Sequence, residues 1–537
     1  MILILFTWFY MFFVFFVQGE CINSLVFKGK LRSIGEPILL GMVFQAIFVT
    51  IIAFFTRIHI EYFCANILFT IILAFFNRNA LYSRLKTLFR WDRFCIVLFF
   101  VIVFLSLVRS SLLPFIIDNE SYYIQTIKWL NEYGWVKGLA NLHVFLSHGS
   151  PWHALQAAYN FNFIYDKFND INGFLVCIAA LLWVDKINES RKKSDYITNR
   201  WLYFLPVFSI VWFFFVDSPS TDLPLFFISL VVIYHVLNRT KEGDLLAILL
   251  SVFLIFIKIS IIPILVLTIC LLSKKNWKIA LSYVIILGGI YIAKGIWLAG
   301  YPLTPYPGLL VPLPWTVPIE MYAVSGGDNF NFKVFFDNDW EDIFIFFVIL
   351  STFIAYALLV LKKKAQYPIL FFFIAEWLLI LFTYTQFRYM LPALFYPLSF
   401  LLAKIKISPK YLFIMVYCFI LAVLAPVFIP YGRTKVFDQE TLKVKGFHKE
   451  IFLEPMNISR FENLTFEEEF CVNFEFYTPT DTTMYYTIYT TGNGPIPCVQ
   501  IDYLISMYRR TGRLPALIGD DLSNGFTNVL VEEEGNE

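Results

Sequence analysis

Apolar residues fill this chain in long blocks separated by short charged stretches. The blocks fall at 1–17, 37–56, 62–76, 94–117, 172–185, 202–216, 223–238, 245–257, 259–273, 279–297, 342–361, 368–383, 389–403 and 411–430. The pattern predicts an all-α polytopic integral membrane protein with about 14 transmembrane segments. Several blocks run only about 15 residues, roughly 22 Å of helix against a ~30 Å hydrocarbon core. Such segments are expected to thin the bilayer, recruit flanking aromatics or form hairpins that do not fully cross.

Charge between the blocks sets the topology. Seven linkers, among them Lys28/Lys30/Arg32, Lys186/Arg191/Lys192/Lys193/Arg200 and Lys362/Lys363/Lys364, hold 24 of the 42 basic residues and alternate with linkers that carry few. The positive-inside rule places them in the cytoplasm, with both termini outside. Leu245 to Ser273 has basic flanks on both sides, so it reads as a hairpin of two short helices with Lys258 at the outer tip. Met1–Val17 lacks the basic start of a secretory signal and reads as a span. Three units follow: three spans at 1–93, a membrane core at 94–430 with large outer loops at 118–171 and 298–341, and an extracytoplasmic tail at 431–537, expected to be a small α/β domain. The tail holds 9 basic and 17 acidic residues, a net of −8.

Composition narrows the class further. The 537 residues are 59% hydrophobic and 20% aromatic, and only 15% are charged. Soluble domains carry about 25% charge, so soluble, disordered and fibrous classes are excluded. A net charge of +2 without a basic stripe leaves no case for a nucleic-acid partner. Six of the eight cysteines lie in or beside spans. Cys471 and Cys498 lie in the tail, where an oxidising compartment permits a disulfide between them. Such a bridge would contribute roughly 3 kcal/mol; the alternative is two free thiols.

Ionisable residues collect at the outer ends of the spans, where charge is costly and usually functional. Asp118 and Glu120 follow the block ending at Ile117. Asp217 and Asp222 bracket the tip Asp217-Ser-Pro-Ser-Thr-Asp222. Lys258 caps the next hairpin, and Arg388 and Tyr389 occupy a later tip. Lys258 and Arg388 read equally as headgroup-facing cations, and Asp222 as a helix N-cap ahead of Pro224. Loop 118–171 opens with an amphipathic pattern over Asn119–Tyr133, expected to lie in the interface. It then carries His143, His148 and His153. Spacings of five do not put these on one helical face, so substrate hydrogen bonding by His143 and His153 is expected rather than a metal site. Ser150-Pro151-Trp152 reads as the start of a helix over 150–163. Loop 298–341 begins with the Pro-rich run from Gly300 to Gly308, too stiff for a helix; it reads as a lid over the site or as a surface loop.

This layout resembles the GT-C glycosyltransferases, membrane enzymes that use polyprenyl-phosphate-linked sugars. The run from Asp118-Asn-Glu-Ser-Tyr-Tyr to Gly138-Leu-Ala-Asn-Leu-His143, with Ser218-Pro-Ser-Thr-Asp222, Lys258-Ile-Ser260 and Gly300-Tyr-Pro-Leu-Thr-Pro305, is similar to an uncharacterised bacterial family of multispan proteins assigned to that group. The resemblance covers about 94–430. It implies a polyprenyl-phosphate-sugar donor and a glycan, lipid or protein acceptor at the outer face of a bacterial inner membrane. Asp118, with Glu120, would be the catalytic carboxylate that takes the acceptor proton. Lys258 and Arg388 would offset charge on the leaving phosphate, with Asp217, Asp222, Tyr389, His143 and His153 lining the substrate. Whether a divalent metal takes part is left open. A polysaccharide polymerase or a lipid-linked oligosaccharide transporter are the alternatives. Arg109, Lys294, His235 and Glu376 are the clear ionisables inside spans that a transporter would use.

Overall fold

The computed structural model describes residues 1–31, 33–86, 91–114, 116–167, 169–192, 199–208, 215–306, 308–325, 340–382, 387–405, 431–432, 443–444, 449–455, 458–459, 464–480 and 490–531. The helices are α1 (Ile2–Val26), α2 (Gly35–Ile52), α3 (Ile60–Leu85), α4 (Arg93–Ser110), α5 (Ile124–Glu132), α6 (Pro151–Tyr159), α7 (Ile171–Lys192) and α8 (Asp222–Leu237). They continue with α9 (Lys241–Ile257), α10 (Leu265–Leu271), α11 (Trp277–Ala299), α12 (Ile319–Ser325), α13 (Trp340–Val360), α14 (Tyr367–Phe382), α15 (Phe387–Leu402) and α16 (Ile501–Thr511).

Among the described residues, six helices are long and apolar enough to cross a membrane: α1, α2, α3, α4, the stretch Ile171–Glu189 of α7, and α11. That is fewer than the fourteen expected, for identifiable reasons. The block at 411–430 lies outside the described residues. The block at 202–216 opens as the 3-10 turn Arg200–Phe208, where Pro206 removes a backbone donor. The block at 259–273 is a 3-10 turn, Ile259–Ile264 with Pro263 inside it, followed by the seven-residue α10. α9 and α10 pack together as the expected hairpin, with Lys258 where the helix breaks.

Residues 1–93 form the three expected helices, but packing does not separate them from the rest. α1 and α2 cross with their backbones touching. A Cβ on Gly19 would stand 1.7 Å from the Pro37 carbonyl oxygen, and one on Gly41 1.9 Å from that of Phe15. A buried amide and hydroxyl network then joins α1, α2 and α3 to α6. Gln45 donates to Gln18 at 2.5 Å, Gln18 to Asn66 at 3.0 Å, and Asn66 to the Tyr159 hydroxyl at 3.2 Å. Tyr62 closes it by donating to Gln45 at 2.6 Å.

Two apolar cores result. The larger runs through the long helices. The smaller is built from loop 118–171, the segment around 298–322 and the tail, and Trp129, Trp135, Met321, Phe474, Tyr503 and Phe526 share it. The tail supplies α16 and three antiparallel pairs: β1 (Tyr431–Gly432) with β2 (Lys443–Val444), β3 (Phe466–Cys471) with β4 (Phe474–Pro479), and β5 (Arg513–Leu517) with β6 (Phe526–Leu530). It is therefore not a freestanding domain.

The Cys471–Cys498 bridge is not formed. Cys471 pairs with Phe474 at the hairpin end, whereas Cys498 bridges to Tyr477, three residues along β4. Three strand residues span ~10 Å, beyond the roughly 7 Å that a disulfide tolerates. The Cys471 thiol donates to the Pro515 carbonyl at 3.6 Å instead.

Candidate functional site

Asn172, in the first turn of α7, organises the tip ahead of α8. Its amide donates to the carbonyls of Phe215, Ser218 and Ser220 at 2.8, 2.6 and 3.0 Å, and its oxygen accepts from the Trp152 indole at 2.8 Å. The tip aims its two carboxylates at different cations. Asp217 forms a fully buried ion pair with Arg109 in the last turn of α4. Asp222 opens α8, and its side chain accepts from the Lys258 ammonium at 2.5 Å. The N-cap reading of Asp222 is thereby corrected: Thr221 holds the cap position, and Lys258 takes the carboxylate.

Lys258 reaches Asp222 because α9 ends there. Its backbone turns extended, φ −153° and ψ 117°, and the next turn contains Pro263, which cannot donate. The break leaves the Ile257 carbonyl to accept from the Ser150 hydroxyl at 3.0 Å. Ser150 also accepts from Trp152 N at 3.2 Å, and His153 Nδ1 accepts from Ser150 N at 3.3 Å, a capping box that starts α6. One serine thus seats the loop helix on the broken α9.

The histidines gather above this seat. His148 ends a 3-10 turn and meets Tyr122 edge-on at 5.6 Å; His153 lies 4.8 Å from the Tyr123 ring. Burial, then the charges of Lys258 and Lys294, push His148 down to about 3. Burial, Lys294, His148 and Lys258 do the same to His153. Both rings are neutral at physiological pH. Their Nε2 atoms are enclosed and lack a hydrogen-bond partner among the described residues. Lys294, from α11, donates to the Gly149 carbonyl and packs over Tyr291 and Trp135. Two ammonium groups, one adjacent carboxylate and two neutral imidazoles therefore share one recess. Lys258 is 23% exposed and so remains reachable.

Asp118 and Glu120 stand on the turn that carries Tyr122 and Tyr123 to the histidines. Asp118 is half-buried at the entry to the π-helical turn Asn119–Tyr123; Glu120 is fully buried within it. Wide turns of this kind occur often at functional sites. Tyr122 and Tyr123 of the same turn touch the histidines. The amphipathic pattern forms a helix, α5, and protein covers part of its polar face. Lys128 donates to the Gly494 carbonyl at 2.6 Å and Gln125 to the same oxygen at 2.9 Å, while Thr491 N and Gly492 N donate to the Glu120 carbonyl.

The other expected residues scatter. His143 stacks on Tyr503 at 4.7 Å and accepts from Phe145 N, on the tail side. Arg388 and Tyr389 fall in the first turn of α15, and their side chains lie outside the described residues. The Pro-rich stretch is wedged between loop 118–171 and the tail, with Asn141 donating to the Trp315 carbonyl at 2.8 Å. Two buried titratable groups, His148 in the recess and Asp170 beside α1, are not among the expected site residues. His148 had the signal of its neighbours His143 and His153. Asp170 sits directly ahead of an apolar block, mirroring the position of Asp118. It is buried, accepts from Thr7 at 2.8 Å, and burial raises it to about 6.

A protein-family model described as a domain of unknown function (DUF8201) matches residues 1–343. The chain belongs to that family. The DUF8201 match takes in α1–α3, the recess and all of loop 298–341, and ends ahead of the tail. No curated protein and no solved structure matches the chain.

Proposed function

We propose that this DUF8201 chain is a polytopic protein of a bacterial inner membrane, with its loops and tail on the outer face. There it moves a sugar from a polyprenyl-phosphate carrier to a glycan, lipid or protein acceptor. The alternation of basic linkers supports the orientation. The reachable Lys258, backed by Lys294 and the neutral rings of His148 and His153, carries the functional reading. A recess with two lysine side chains and neutral hydrogen-bonding rings suits a phosphate and the sugar hydroxyls beside it.

In this mechanism Asp118 takes the proton of the acceptor hydroxyl as its oxygen bonds to the anomeric carbon. The bond from that carbon to the phosphate oxygen breaks, and the polyprenyl phosphate departs with the electron pair, its charge offset by Lys258. Asp222 holds Lys258 in place. The buried ion pair Arg109–Asp217 uses an intramembrane charge for packing, which favours this reading over transport.

Purified wild type, Asp118→Asn and Lys258→Gln are incubated with polyprenyl-phosphate sugars and membrane extract, and free polyprenyl phosphate is measured. Wild type is expected to release it, and Asp118→Asn to fall by about 10²–10⁴. Wild type inactive with every donor counts against sugar transfer. An Asp118→Asn variant as fast as wild type removes Asp118 from the reaction.

A further inference from the structure

A cavity of about 150 Å³ lies away from the recess, between α4, α7, α8 and the turn Arg200–Phe208. Leu105, Ala180, Leu182, Leu205, Phe227 and Leu230 form much of its wall. Two polar groups of the wall are already paired: Ser106 donates to the Gly173 carbonyl at 2.9 Å and Trp183 to that of Leu202 at 2.7 Å. One end differs. There Lys186 lies 3.2 Å from a Glu36 oxygen, and His235 lies 3.5 Å from the same oxygen.

Apolar cavities of this size stay dry and accept hydrocarbon guests. The polar end falls at the ends of α7 and α8 that lead into basic linkers, opposite Asp222 and Ile171. In the membrane placement proposed above, on which this inference rests, that end stands at the cytoplasmic headgroups. From His235 to Phe227 the wall rises along α8 by roughly 12 Å, the depth of an acyl chain's upper half rather than of a small solute. Lys186 is paired with Glu36, and Asp185 and Glu189 stand near it, so the mouth offers charges of both signs. That suits a zwitterionic head better than a free anion.

We propose that this cavity is a lipid site: it takes an acyl chain of a zwitterionic cytoplasmic-leaflet phospholipid, with the head at Glu36, Lys186 and His235. It is separate from the outer recess and needs no sugar chemistry.

The full chain is reconstituted in phosphatidylethanolamine vesicles containing a phosphatidylethanolamine with a photoactivatable diazirine on its acyl chain. Adducts are mapped by mass spectrometry after illumination. α3 serves as the reference for general lipid contact, since its Phe75 and Phe76 are widely exposed. Wild type is expected to carry adducts on α3 and also on the cavity segments of α4, α7 and α8. Ala180→Phe, and the milder rim variant Val231→Phe, should lower the cavity adducts at least tenfold while α3 labelling stays. Labelling of α3 alone in wild type overturns the lipid site and leaves the membrane placement standing. Absence of label on both overturns both. Cavity labelling undiminished in two folded variants also overturns the site.

Discussion

His148 carries a pH dependence whose sign follows from its burial. The ring stays neutral down to about 3 in the folded chain, whereas an unfolded histidine protonates near 6.5. Stability from this group is present above pH 6.5 and is lost as pH falls from there towards 3, because only the unfolded chain takes up the proton. Between pH 7.5 and 5.0 the loss is about 2 kcal/mol. His148→Gln should remove that share, so its unfolding midpoint falls less than that of wild type between those two pH values; equal falls would refute the assignment. Asp170 runs the other way. Its carboxyl is raised to about 6 by burial, so its contribution is present below about pH 4 and lost as pH rises through 6. Asp170→Asn keeps an oxygen for Thr7 and should stabilise the chain at pH 7.5 by up to about 3 kcal/mol, with little change at pH 4. A midpoint unchanged at pH 7.5 would show that the folded chain already relieves the charge. Residue chemistry of this kind was half legible. Asp222 and Lys258 stand out in sequence as polar tips. Their pairing across 36 residues does not, because it depends on where α9 breaks.

Among the elements, those with a start signal were legible. Ser150-Pro151-Trp152 announced α6, and the structure begins that helix at Pro151 with Ser150 as its cap. The elements that departed from the hydrophobic pattern contain proline or a wide turn. Hydropathy reports that a block is apolar, not whether its backbone can complete i to i−4 bonds, so Pro206 and Pro263 turned expected spans into 3-10 segments. Ser150→Ala should cost about 1 kcal/mol from the lost cap alone, and somewhat more because the Ile257 carbonyl loses its donor as well. Thermal unfolding at pH 7.5 measures it; a variant as stable as wild type would mean that water replaces both bonds. Gly41 tests a different element property. Its would-be Cβ meets backbone of α1, not a side chain that can swing away, and small residues are what allow apolar helices to approach so closely. Gly41→Val should therefore push α1 from α2 and lower the unfolding midpoint far more than the same change at Gly288, which faces open space. Equal effects at the two positions would refute the close crossing.

At the scale of the whole molecule, the tail is what the sequence concealed most. It carries no apolar block, so it reads as a separate outer domain, yet its apolar residues complete a core begun by loop 118–171. The closing contacts join residues about 370 apart, such as Glu120 with Thr491 and Gln125 with Gly494, and no local pattern encodes them. Asn528 shows the consequence. Its amide donates at 2.8 Å both to the Asn141 oxygen and to the Thr316 carbonyl, so one side chain fastens both long loops to β6. Beside it Phe526 is fully buried, 5.9 Å from the Trp129 ring and 5.3 Å from Phe474, and its amide donates to the Lys137 carbonyl at 2.9 Å. Gly138 sits under that strand at φ +61°, where a Cβ would stand 2.0 Å from the Phe526 carbonyl oxygen. The strand thus presses the loop flat just where trypsin would cut after Lys137. Phe526→Ala should cost about 3–5 kcal/mol of local stability. Because the long helices keep their own core, helical content by circular dichroism should hardly change. Cleavage after Lys137 should accelerate by orders of magnitude as the loop opens. If cleavage there stays at the wild-type rate while Phe526→Ala is otherwise folded, the tail rests on the loops without ordering them, and the recess owes its shape to the long helices alone.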